Sequence, residues 1–185
     1  GGDINVQAGY ARRGPGGDID FTSGYSEGSS SGSISMQSAS ADEAGASGSL
    51  SLRTGTSSSG NTGRIELVTG DANTGRAGSI DIVIGKGSSG KGTDLVLAAG
   101  DTDDSARGGS VQIRSGASSA TSSGHLELST ANAGKMGNSG FVFLRSGYSE
   151  EGASGTLVMT TGDSSGGRAG KITVAVGESV DPIRG

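Results

Sequence analysis

The run Gly85–Lys91 reads GKGSSGK and fits the first seven positions of a phosphate-binding loop. Such a loop surrounds a phosphate with backbone N–H groups and a lysine, takes Ser or Thr at its eighth position for magnesium, and leads into a helix. Here the eighth residue is Gly92, and the residues around Leu95 have strand character. The match therefore reads as a coincidence of Gly/Ser/Lys turns. Asp101, Asp103 and Ser105 have the spacing that opens a calcium loop, but Ala106 replaces its glycine and Gln112 its closing glutamate. The glycine-rich nonapeptide of calcium-binding β-rolls is absent as well. Asp71, Asp101 and Asp163 each open a turn that also holds an arginine (Arg76, Arg107, Arg168), which reads as local charge balance. The single histidine, His125, has no cysteine or second histidine to complete a zinc site or a catalytic triad. No catalytic, metal or cofactor constellation emerges, and the expectation is a protein that is not an enzyme.

These residues sit in a frame that repeats without a gap. Repeats begin at Gly2, Gly17, Gly32, Gly48, Gly63, Gly78, Thr93, Gly109, Gly124, Gly140, Gly155 and Gly170, every 15 or 16 residues. Numbering each from its first residue, positions three and five hold Ile4/Val6, Ile19/Phe21, Ile34/Met36, Leu50/Leu52, Ile65/Leu67 and Ile80/Ile82. The series continues with Leu95/Leu97, Val111/Ile113, Leu126/Leu128, Val142/Leu144, Leu157/Met159 and Ile172/Val174. All twenty-four are apolar in a chain only 30% hydrophobic, so placement outweighs content. Content alone, with 38 glycines and abundant serine, describes a disordered linker. A fixed short period is instead the signature of a solenoid whose repeats bury their faces against one another.

Helix is excluded by the absence of three-and-four apolar spacing and by the recurrence of glycine. Period two over positions three to seven predicts a strand, and the glycine at position eight, or Ala39 and Ala131, predicts a corner. The outward residues decide how many strands make a coil. Position six carries Arg53, Arg114 and Arg145 in even repeats and no arginine in odd ones, and the turns alternate in the same sense. The expected fold is accordingly an all-β parallel solenoid over residues 1–185, a single continuous domain. Its twelve strand–turn repeats pair into six coils of about 31 residues, each with two strands, in two sheets packed face to face. A coil of one repeat is the alternative.

With every repeat aligned, GDIDFTSGYSEGSSS at Gly17–Ser31 and GSVQIRSGASSATSS at Gly109–Ser123 carry a likeness that covers essentially the whole chain. The chain resembles the Gly/Ser-rich β-solenoid repeats of large secreted proteins from diatoms and related microalgae. That resemblance implies an extracellular coat, adhesive or fibre component.

The expected function is a structural subunit of a secreted, extracellular fibre or coat. Both end repeats keep the full pattern, so Gly1 and Gly2 at one end and Ile183 and Gly185 at the other are expected to stack head to tail on further copies. Phe141 and Phe143 fall on outward positions and form an expected lateral contact, with Arg53, Arg114 and Arg145 as a row facing water or an acidic neighbour. The alternative is a solenoid that binds ice or a polysaccharide, or an adhesin segment. Outward positions mix Asn5, Glu66, Val96 and Phe143, which is not the threonine array that ice calls for. A pI of about 4.8 and three tyrosines exclude a strand-tracking nucleic-acid groove. No apolar run reaches membrane-spanning length, so no membrane insertion is expected, and no signal peptide is present. A chain opening on Gly1 reads as a processed piece or an excerpt of something longer. Without cysteines there is no disulfide, and without an Asn-x-Ser/Thr sequon no N-linked sugar is expected.

Overall fold

Side chains two residues apart meet along the outward side of several repeats, as extended backbone requires. Arg64 pairs with Glu66 at 2.8 Å, Ser79 donates to Asp81 at 3.2 Å, Arg114 donates to Gln112 at 3.3 Å and Ser129 donates to Glu127 at 3.2 Å. The rings of Phe141 and Phe143 lie 5.8 Å apart. Positions two, four and six therefore share one face, and positions three, five and seven the other. The computed structural model describes residues 1–42 and 45–178. The chain divides into two units, Gly1–Asp94 and Leu95–Gly185.

Extended segments do not make a sheet here. Among the described residues there is no helix and no strand. The all-β parallel solenoid, with its two strands per coil, six coils and closed core, is thus corrected to a chain of extended segments and turns. The surface area shows why. The chain exposes 19388 Å², against about 8,000 Å² for a folded monomer of its 17.9 kDa and about 26,000 Å² for an unfolded one. No described residue is buried. Two large apolar side chains per repeat are too few to offset the ordering of fifteen backbone residues, many of them glycine. With water at every segment, the N–H and C=O groups gain little by pairing with one another instead.

What order there is lies at the base of the turns. The N–H of a repeat's first residue donates to the C=O of position eight in the repeat before: Gly17 to Gly9, Gly32 to Gly24, Gly109 to Gly100 and Gly124 to Gly116, all at 2.9–3.0 Å. These are the backbone–backbone hydrogen bonds among the described residues. Ser23 adds a bond from its hydroxyl to the Gly32 carbonyl at 3.0 Å. Position seven then lies against position one of the next repeat, which explains why it is small. A Cβ on Gly109 would sit 3.1 Å from the Ala99 Cβ and 3.0 Å from the Gly100 nitrogen. The one non-glycine at position one, Thr93, follows the large position-seven residue Ile84, and no closing bond forms there. The half-buried residues are Ala8, Ser23, Thr69 and Ala99 at position seven, with Ala11, Ser26 and Ser149 at position ten.

Position ten governs the bend itself, which falls at residues 12–14, 27–29, 58–60, 73–75, 88–91, 103–106, 119–121, 135–137, 150–152 and 165–167. Where position ten is serine, its hydroxyl accepts the N–H three residues on: Ser26 from Ser29, Ser57 from Gly60, Ser118 from Thr121, Ser149 from Gly152 and Ser164 from Gly167. This is the hydroxyl-closed turn that Ser favours. Where position ten is Ala11, Ala72, Gly87 or Ala133, the bend instead carries a glycine of positive φ, as at Gly14 (φ 88) and Gly90 (φ 76), with Gly75 and Gly137 likewise. A side chain at such a φ is strained, so these bends require glycine. The two devices never coincide among the described turns. Serine closure dominates even repeats and glycine closure odd ones, so the alternation first read as coil geometry is in part an alternation of turn chemistry.

Two substitutions test this order. Gly109→Ala will break the bond to Gly100 at a cost of about 1 kcal/mol, and the Gly109 amide will exchange roughly fivefold faster. Gly116→Ala, with open space around its Cβ, will leave that amide unchanged. Ser149→Ala will raise the temperature coefficient of the Gly152 amide shift to a free-peptide value, and Ser149→Thr will preserve it.

Candidate interaction surface

Each repeat presents two faces of opposite chemistry. Positions three, five and seven carry no ionisable side chain in any of the twelve repeats. Positions two, four and six carry Asp3, Asp18, Asp20, Arg53, Arg64, Glu66, Asp81, Arg114, Glu127 and Arg145 among others. In repeats two to eleven the paired large side chains remain 46–68% exposed, whereas the apolar residues on the charged face are 70–84% exposed. Ile4 in the first repeat and Val174 in the last rise to 95% and 89%. Sequence neighbours therefore cover part of each pair, and no described residue covers the remainder.

The aromatic candidates stand in the open. Phe141 and Phe143 are both exposed, with their ring planes tilted by 39°. Arg145 is on the same side of that segment, two positions beyond Phe143. Arg114 is held by Gln112. Arg53 lies in the first unit and lines a shallow concavity with Ser51, Thr54, Gly55 and Thr56. Arg114 and Arg145 belong to the second unit. Gly1 and Gly2 have open space around them, while Ile183 and Gly185 lie outside the described residues.

The loop at Gly85–Gly92 forms a second open concavity, lined by Ile84, Lys86, Ser89, Lys91 and Thr93 with the loop glycines. No helix follows it, and Lys91 turns to Asp94 at 3.8 Å. Without a helix N-terminus to add its dipole, the loop lacks half of what holds a nucleotide phosphate. In the Asp101–Arg107 turn, Asp104 accepts the N–H of Ser105 at 2.7 Å, and Thr102 accepts that of Asp104. These bonds use the turn's oxygens locally. Among the described residues no three His, Asp or Glu side chains converge on a cation position. The ion pairs found there are Arg64–Glu66 and Lys91–Asp94, and the Asp71/Arg76, Asp101/Arg107 and Asp163/Arg168 sets do not close. Local charge balance in those turns thus operates without contact.

Sequence reasoning missed the pairing of positions one and seven and the serine closure of the bend. Both had a signal: Thr93 opposite Ile84, and serine three residues before the bend's last residue. No protein-family model, curated protein or solved structure matches this chain.

Proposed function

We propose that the chain is a structural component of an extracellular fibre or coat, acting through contacts with copies of itself. The observation that carries this reading is an apolar pair in every repeat, exposed along the whole described chain. Exposed apolar surface in regular array marks association surfaces. A repeat that cannot cover its own apolar residues gains from neighbours of the same kind, and each added copy offers the same array. The earlier basis in uncapped solenoid ends falls with the solenoid, so the assembly reading now rests on this lateral surface. The extracellular setting follows from the resemblance to secreted Gly/Ser-rich repeats. No catalytic step is assigned to any residue. Polysaccharide remains a secondary partner, for which the neighbouring Phe141 and Phe143 rings supply an aromatic platform.

Electron microscopy of the purified chain across a dilution series tests the proposal. Extended assemblies that grow with concentration are expected, and particles of single-chain size throughout would overturn it. Phe143→Ser is expected to thin the assemblies by weakening their side-to-side contact. Assemblies of unchanged width would remove the aromatic pair from the contact set.

A further inference from the structure

We infer that a second copy of this chain docks on the charge-free face, position three to seven against position three to seven, so that the apolar pairs of two chains cover one another. This rests on the reading of the chain as a self-associating structural component and specifies how it associates. Three observations converge on that occupant.

The first is spacing. An occupant must offer large apolar side chains in pairs two residues apart, recurring every 15 or 16 residues with small residues between. Another copy has that spacing by construction. The second is charge. The chain is acidic, with a net charge of −5, so like copies repel through most of their surface. The face formed by positions three, five and seven has no ionisable group in any repeat, and two copies meet there without placing like charges in contact. The outward face, with Asp18, Asp20, Glu66, Asp81 and Glu127, does not offer this. The third is area. Taking about 60 Å² of remaining apolar surface for each side chain, the twelve pair residues of one unit against those of a second copy remove about 1,400 Å² in total. That lies inside the roughly 1,200–2,000 Å² of specific, stable interfaces.

The more exposed apolar residues provide the control. Val68 and Val83 are 75% and 84% exposed, against 53% and 60% for Ile80 and Ile82, yet they sit at position six on the charged face. If exposure alone drove association, the valines would matter more. If the charge-free face drives it, the isoleucines will.

The test is sedimentation equilibrium of the full chain over a dilution series, comparing wild type with two double variants of equal added charge. Ile80→Asp with Ile82→Asp is expected to weaken self-association at least about tenfold, since burial of two large side chains is lost. Val68→Asp with Val83→Asp is expected to leave the dissociation constant within about twofold of wild type, the shift that added surface charge alone brings. A third sample carries a folded, soluble domain fused at each terminus, which blocks end-to-end joining and leaves the face free. It is expected to associate as wild type does. Association that survives the isoleucine variant, or that both double variants weaken equally, overturns the face-to-face contact while the structural role stands. Association abolished only by the terminal fusions replaces it with head-to-tail joining. A wild-type chain that stays monomeric throughout overturns both the contact and the role on which it rests.

Discussion

One carbonyl sets the local order of this chain. The C=O of position eight accepts the N–H of the next repeat's first residue, and the turn between them is drawn into a loop with adjacent ends. That closure brings position seven against position one, which restricts one to a small residue and the other to glycine. It also sets the length available to the bend and so the fifteen-residue period. Where Ile84 enlarges position seven, the glycine at position one is replaced by Thr93 and the closure is lost. The repeat is thus best described as a closed turn flanked by extended segments.

The apolar pairs follow a different logic. They are placed by the period but do not stabilise the turns, which are built from hydroxyls, carbonyls and glycine. In the described chain each pair is only partly covered by its sequence neighbours. A sheet would need the pairs to offset the ordering of glycine-rich segments, and at two per repeat they do not. Their regularity has its physical sense in association between chains, where one contact is repeated twelve times without further cost in local design. The charges are segregated to the opposite face, where pairs such as Arg64–Glu66 are exposed and contribute little to stability.

Much of this was legible in the sequence, and the rest failed for a definable reason. The period, the restart residues and the two faces were readable because side chains two apart on extended backbone share a side. Contacts such as Glu127–Ser129 and Phe141–Phe143 are the direct expression of that rule. The solenoid did not follow, because periodicity reports which residues share a face and says nothing about what covers it. The low share of Ile, Leu, Val and Phe pointed the other way. The alternation of odd and even repeats was real, but Ser26, Ser57 and Ser149 against Gly14 and Gly75 account for it through the bend without invoking coils. Arg53, Arg114 and Arg145 were grouped by register, yet Arg53 lies in a different unit from the other two.

Residue-resolved amide exchange on the chain at high dilution tests the central claim most directly, since it separates turn closure from sheet pairing. The amides of Gly17, Gly32, Gly109 and Gly124 will show measurable protection, and those of Ile65, Glu66, Leu67 and Val68 will exchange as in a short peptide. Protection spread evenly along Ile65–Val68 and the matching segments of neighbouring repeats would demonstrate a backbone ladder within one chain and contradict the account.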